Sequence, residues 1–392
     1  MNTLDTSIIT ISLDELNKDL NIKLLEESDE IDGYETSFCK INISGKDVNY
    51  VIINTLRRVI LSLIPVYGFD SENIKITKNT GVFNNDYMRL RLSNFPVYMT
   101  KEINGKYKKL KNLDHIQIIN PEITLDTAAD LEYRANLGTA EIDITQLDEG
   151  MKEDITDNLT IVVNVKNNSD NDIMNVMTNT PGVKFYFKKE PISHIYTNPL
   201  LIIQLQPGQE FACTMTSNLN NGMYHATFRP CSLCHYEEHN DLNYDFTIMS
   251  KRQISEKDII IRACQIIKKK ITNSEQTFIN NIKKYNIKAS LAKDILDEDD
   301  ISTEHLRSGT IIIEGEQHTL GNLLSRYLQD HKDIKFAGYK VGHPNVNQVE
   351  IKYICNTDIL NIINDVSKTL TQIFSDIENK VKKMNDFGYR YI

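Results

Sequence analysis

Apolar residues recur along this chain with two spacings, and the switches between them mark out its elements. Towards the C-terminal end, residues 310–313 form a β-branched run that predicts a strand. A polar turn follows over 314–318, with Thr319 as the expected N-cap of the next helix. Leu320, Leu323, Leu324, Tyr327 and Leu328 then fall at i, i+3, i+4, i+7 and i+8, one apolar helical face. Residues 330–333 close that helix, and 334–341 and 346–354 predict two strands joined by a turn over 342–345. Beyond Thr357 a long helix is expected to about residue 386. In it Ile359, Ile363, Val366, Leu370, Ile373, Ile377, Val381 and Met384 step by threes and fours, close to a heptad seam that needs a partner.

The earlier part carries a similar order with an interruption. Residues 1–33 form an acidic lead-in with weak helical character around 13–25, and 37–43 predict a strand. Leu56, Val59, Ile60 and Leu63 predict a short helix over 54–63, which Pro65 stops. Short β-type runs then follow at 87–92, 116–119, 159–165, 183–187, 200–205 and 210–216, separated by Asn, Asp, Gly and Pro turns. Residues 244–249 predict another strand. Ser255, with Asp258 three residues on, opens a long helix carrying Ile260, Cys264, Ile267, Ile271, Phe278 and Ile282 at heptad-like spacing. Residues 289–308 lack periodic apolar signal and read as a linker. Each half thus offers a strand, a short helix, further strand pairing and a long closing helix, an α+β pattern.

Composition narrows the function. The 392 residues carry 44 Lys+Arg against 54 Asp+Glu, a net charge of −10, which argues against autonomous DNA binding. The most apolar stretch, residues 50–69, is broken by Arg57 and Arg58 and is not expected to span a membrane. The first twenty residues lack a basic segment and do not read as a signal peptide. Six thinly scattered cysteines fit a reducing compartment. Cys231 and Cys234 with His239 form the one tempting zinc site, but a second ligand pair is missing and neighbouring side chains of a strand point to opposite faces. No metal is expected there. No phosphate-cradling glycine loop and no Asp-rich triad for two-metal nucleotidyl transfer is present, so neither a catalytic residue nor a cofactor is assigned.

Two sets of strings carry a resemblance. His318-Thr319-Leu320-Gly321-Asn322-Leu323, followed by Phe336-Ala337-Gly338-Tyr339 and His343-Pro344, resembles the small α-like subunit of cellular RNA polymerases, over roughly the last ninety residues. Asn54-Thr55-Leu56-Arg57-Arg58-Val59-Ile60-Leu61-Ser62 with Ile64-Pro65 resembles the first helix of the large α-like subunit. Gln206-Pro207-Gly208-Gln209-Glu210 and His225-Ala226-Thr227-Phe228 match two more signatures of that family, in the family's order.

The resemblance implies a large and a small α-like subunit fused head to tail, as in RNA polymerases of large DNA viruses. It implies an acidic extension over 1–33, a discontinuous large dimerisation domain over 34–68 and 242–288, an inserted β-rich domain over 69–241, a linker over 289–308 and a small dimerisation domain over 309–392. The two halves are expected to pair in cis through Ile260, Cys264, Ile267, Ile271, His318, Leu320, Gly321, Leu323, Leu324, Ile363, Val366, Leu370, Ile373 and Ile377. Gly321 would permit close backbone approach, and His318 is expected to hydrogen-bond in its turn. Asn54, Leu56, Arg57 and Arg58 are expected to dock a partner. The implied role is a non-catalytic platform for the largest and second-largest polymerase subunits and a small adaptor, reaching DNA only through the complex. If the chain is viral its place is a viral factory of the host cytoplasm, with the virion left open, and otherwise it is the compartment of transcription. The alternative is a stand-alone interaction protein that retains the fold. The four-cysteine zinc loop of eukaryotic relatives is expected to be absent, since residues 87–100 hold no cysteine. Ligands for the iron–sulfur cluster of some archaeal relatives are not evident.

Overall fold

The computed structural model describes residues 20–28, 37–97, 100–103, 106–109, 159–187, 190–196, 198–284, 307–342 and 348–384. The chain opens with β1 (Asn21–Ser28), β2 (Ser37–Ser44), α1 (Tyr50–Ser62) and β3 (Val66–Asn79). It continues through α2 (Asn85–Ser93), β4 (Thr100–Ile103), β5 (Lys106–Lys109), β6 (Leu159–Lys166), β7 (Met174–Met177) and β8 (Val183–Phe187). Then come β9 (Glu190–Ile192), β10 (Leu201–Leu205), β11 (Glu210–Asn220), β12 (Cys231–Asn240), β13 (Asn243–Ser250) and the long α3 (Glu256–Lys284). The second half contributes β14 (Arg307–Glu314), α4 (His318–Gln329), β15 (Ile334–Val341), β16 (Gln348–Cys355) and α5 (Ile359–Lys383).

In the first half an antiparallel sheet of order β1-β2-β13-β12 carries α1 and α3. Cys39, Ile41 and Ile43 of β2 and Tyr244, Phe246 and Ile248 of β13 are all buried, the alternation of a sheet with one apolar face. Ile52, Leu56 and Ile60 of α1 are fully buried as well. Each such side chain contributes about 1.5–3 kcal/mol. Helix α1 begins four residues before the predicted start because Asn49, in extended conformation, accepts from the amides of Val51 and Ile52 at 3.0 and 3.1 Å.

The inserted strands form a five-stranded sheet of order β3-β11-β6-β8-β9, a β10-β7 ribbon and the β4-β5 hairpin. Strands β3 and β11 run through both bodies, pairing from Val66↔Asn220 to Asn79↔Phe211. Gln253 clamps this junction: it accepts from the Tyr67 amide at 2.7 Å and donates to the carbonyls of Tyr67 and Val97, both at 2.9 Å. The second half is a three-stranded sheet, β14-β16-β15, with α4 and α5.

Four local expectations change. Residues 21–28 are a strand paired with β2 from Asn21↔Ser44 to Ser28↔Phe38, not helix; a free sheet edge outweighs weak helical propensity. Residues 87–92 belong to α2, because Asn84 caps the Tyr87 amide at 2.8 Å and Met88 and Leu92 bury one helical face. The N-cap of α4 is Gln317 rather than Thr319, and strand β14 starts at Arg307, inside the expected linker. The strand expected at 116–119, linker residues 289–306 and turn residues 343–345 lie outside the described residues. Among those described, no helix is long and apolar enough to cross a membrane.

The turn after β11 is pressed against the end of α1, where the Met223 amide donates to the Ser62 carbonyl at 3.1 Å. A Cβ on Gly222 would lie 2.0 Å from the Leu61 carbonyl oxygen. Gly222→Ala is therefore expected to destabilise the chain by about 1–3 kcal/mol, seen as a lowered thermal unfolding midpoint.

Candidate functional site: the helical interface between the halves

Helices α3 and α5 lie along each other in opposite directions. The Lys257 ammonium donates to the Met384 carbonyl at 2.9 Å, the Gln265 amide to Glu378 at 3.0 Å, and the Lys268 ammonium to Ser375 at 3.3 Å, so numbers rise on one helix as they fall on the other. Ile260, Cys264, Ile267 and Ile271 of α3 are buried, as are Ile363, Val366, Leu370, Ile373 and Ile377 of α5. Ile362 and Phe374 are buried too, so α5 presents a face broader than a two-position heptad seam. Phe278 and Ile282 lie outside the described side chains.

The short helices pair in the same antiparallel sense. At one end the Asn49 side-chain amide donates to the Tyr327 hydroxyl at 3.1 Å; at the other the Arg58 Nε donates to Thr319 Oγ1 at 2.7 Å. Burial is the main cause that pushes the Tyr327 phenol up to about 12, so it remains protonated. Between these ends Leu320 and Leu323 share a cleft with Thr55, Val59, Leu63 and Ile267. Lys270 of α3 closes it with a 2.6 Å ion pair to Glu316 of the second half.

Several residues read as interface or docking positions lie elsewhere. Leu56 is fully buried in the core, where no partner can touch it, because its stripe faces the sheet. His318 is exposed at the start of α4 and packs edge-to-face on Tyr339 of its own half, with centroids 5.9 Å apart. Gly321 also faces its own sheet: a Cβ there would sit 2.6 Å from Val349 Cγ2 and 2.9 Å from Tyr339 Cδ2. The close approach it permits is therefore helix on sheet. Leu324 is buried within the apolar core that both halves share. Arg57 is half-buried and braced by Asn54, whose Oδ1 accepts from Nε and Nη2 at 3.1 and 3.0 Å. Arg58 is exposed.

Cys231 and Cys234 turn out to share a buried face. A bulge between Cys231 and Leu233 shifts the alternation, so both thiols are buried on one side of β12, the strand that packs against α1. His239 is not with them; its Nε2 meets Asp245 at 3.0 Å, on the face that also carries Lys40 and Asn42. Burial, with the adjacent Cys231, pushes the Cys234 thiol well up, which opposes the thiolate a zinc ion needs. Among the described residues no group of three or more metal-ligating side chains converges.

Two family models of the same description match the two halves separately. The RNA polymerase Rpb3/Rpb11 dimerisation domain is matched by residues 44–271 and again by residues 308–380. The chain belongs to the Rpb3/Rpb11 family. A protein of Acanthamoeba polyphaga mimivirus named as a DNA-directed RNA polymerase subunit is 22% identical over 378 residues, spanning 93% of this chain and 94% of that protein. Subunit rpb11 of RNA polymerase II from Dictyostelium discoideum is 36% identical over 84 residues, 20% of this chain and 69% of its own. The Rpo11 subunit of Sulfurisphaera tokodaii is 40% identical over 58 residues, 14% of this chain and 62% of its own. The chain is thus a fused α-like polymerase subunit of viral kinship, and its two family domains are the halves whose helices meet here.

Sequence periodicity missed the polar groups of the interface. Glu378, almost wholly buried, accepts from Lys268 and Gln265 of α3 and from Lys382 of its own helix, at 2.5, 3.0 and 2.5 Å. Its position next to Ile377 was the available signal, since an acid flanking a seam is placed to meet a cation across it. Burial pushes the Glu378 carboxyl up, but hydrogen bonds from Lys268, Lys382 and Gln265 outweigh this and hold it below its ordinary 4.5. A carboxyl depressed in the folded chain adds stability that is full above the unfolded value and is lost as pH falls through the lower folded value. Glu378→Gln is expected to cost about 1–3 kcal/mol at neutral pH and to flatten the acid limb of stability below pH 4.5, measured by thermal unfolding across pH.

Proposed function

We propose that this chain is the non-catalytic assembly platform of a multisubunit DNA-directed RNA polymerase. The observation that carries this is the cis pairing itself: α3 with α5 and α1 with α4, each pair drawn from both family domains of one chain. In this reading the first dimerisation domain is 34–68 with 242–288, extended by β1 and by β12 (Cys231–Asn240), which pair into its sheet. Residues 309–392 are the second, the rest of 69–241 is the insert and 289–308 the linker. The paired halves present surfaces to the largest and second-largest subunits and to a small adaptor, and DNA is met only through the assembled enzyme. The kinship with a mimivirus protein supports placement in a viral factory of the host cytoplasm.

Docking on the second-largest subunit is assigned to Asn54, Arg57 and Arg58. Asn54 pre-orients the Arg57 guanidinium, which suits a bidentate bond to a carboxylate. Arg58 has a second role, since its Nε already bonds Thr319 of the other half. No role in the chemistry of nucleotidyl transfer is assigned to the chain, and Cys231, Cys234 and His239 are read as structural.

Tagged full-length chain, recovered from its native setting, is expected to bring down the two large subunits; a tagged chain that recovers neither sinks this reading. Within that assay Arg57→Glu should weaken recovery about tenfold while leaving the thermal unfolding of the isolated chain unchanged. A variant that unfolds would show instead that Arg57 serves the fold. Metal analysis of the pure protein is expected to find no stoichiometric zinc, and its presence would overturn the assignment of the cysteines.

A further inference from the structure

The junction between the first dimerisation sheet and the inserted strands holds a pair of cations that no carboxylate among the described residues neutralises. Lys251 follows β13 directly, and Arg229 follows a short 3₁₀ turn (Ala226–Phe228) that His225 caps by accepting from the Thr227 amide at 3.2 Å. Both line a cavity of about 70 Å³, whose walls include Tyr67, Asn94, Phe95 and Thr227. Among the described residues the Lys251 ammonium donates only to two backbone carbonyls, of Ala226 and Thr227, both at 3.3 Å, long for bonds from a charged donor. Other partly buried lysines are matched differently: Lys40 holds Asp245 and Glu237, Lys268 holds Glu378, and Lys270 holds Glu316.

Among the described residues no carboxylate pairs with Lys251 or Arg229. Burial pushes the Lys251 ammonium below its ordinary range; the nearby Cys231 opposes this and the neighbouring Arg229 charge adds to it. Two like charges held at one small cavity favour an anion between them.

We propose that this cavity receives the side-chain carboxylate of an aspartate or glutamate from another polymerase subunit, an inference that rests on the platform reading above. A nucleic acid is disfavoured because two cations on a chain of net charge −10 give no track for a phosphate backbone, and the cavity is too small for a base. Arg229, exposed at the rim, supplies the planar fork, and Lys251, deeper, supplies the point charge. The site is separate from the docking residues Asn54, Arg57 and Arg58, so the platform would hold its partners at two places.

Reductive methylation of lysines, read by mass spectrometry, tests this on the full chain alone and on the co-purified polymerase. Lys251 is expected to be labelled in the isolated chain and to lose about tenfold in labelling within the complex. A zero-length carbodiimide should join Lys251 to an aspartate or glutamate of another subunit, and Arg229→Ala should cut that product about tenfold without changing the labelling of the isolated chain. The proposal is overturned by equal labelling in both states, by cross-links only to carboxylates of this chain or of a second copy, or by inorganic phosphate protecting the isolated chain as well as the complex does. Recovery of polymerase subunits with Lys251 unprotected defeats this pocket alone; recovery of none defeats the platform reading with it.

Discussion

Everything else in this molecule depends on one constraint: each half carries two amphipathic helices whose apolar faces its own sheet does not fully cover. Ile260, Cys264 and Ile267 on one side and Ile363, Val366 and Leu370 on the other can leave water together only by meeting. The buried residues accordingly form one contiguous core running from β2 through α3 into α5 and β16. At about 25 cal/mol per Å² of apolar surface removed from water, neither half keeps its stability if the other departs. In family members that supply the halves as separate chains this association depends on concentration. Here both halves belong to one chain, so the association is intramolecular, with an effective concentration of about millimolar.

Polar groups then decide how the apolar faces meet. Glu378 with Lys268 and Gln265, Lys270 with Glu316, Arg58 with Thr319 and Asn49 with Tyr327 are distributed along both helix pairs. A slide of α5 along α3 by one turn would leave Glu378 buried without Lys268, and truncating one partner of such a pair is strongly unfavourable. The apolar stripes supply the bulk of the attraction, and these pairs set register and direction.

Much of this was legible in the chain. The two stripes at Leu320–Leu328 and Ile359–Val381 and the stop at Pro65 follow from local periods and from the geometry of proline. The same logic misread residues 87–92, where Tyr, Met, Arg, Leu, Arg and Leu fit a strand pattern as well as a helix; Asn84 settled it through a cap that periodicity does not weigh. It misread 21–25 because a strand edge is a long-range partner. It placed His318 and Gly321 at the interface because they belong to a motif, although the motif's purpose there is to seat α4 on Val349 and Tyr339.

By itself the sequence determined the order of most elements, the kind of those with a strong apolar period, and the doubling of the helical pattern, because these depend on residues close along the chain. Only the tertiary structure decided which faces the stripes cover, that Cys231 and Cys234 share a face while His239 does not, and that Lys251 and Arg229 stand together without a carboxylate among the described residues. Each of those facts turns on a bulge, a crossing or a junction between segments far apart in sequence. A single extra residue in a strand reverses which face a side chain takes, and no local pattern of apolar spacing records it.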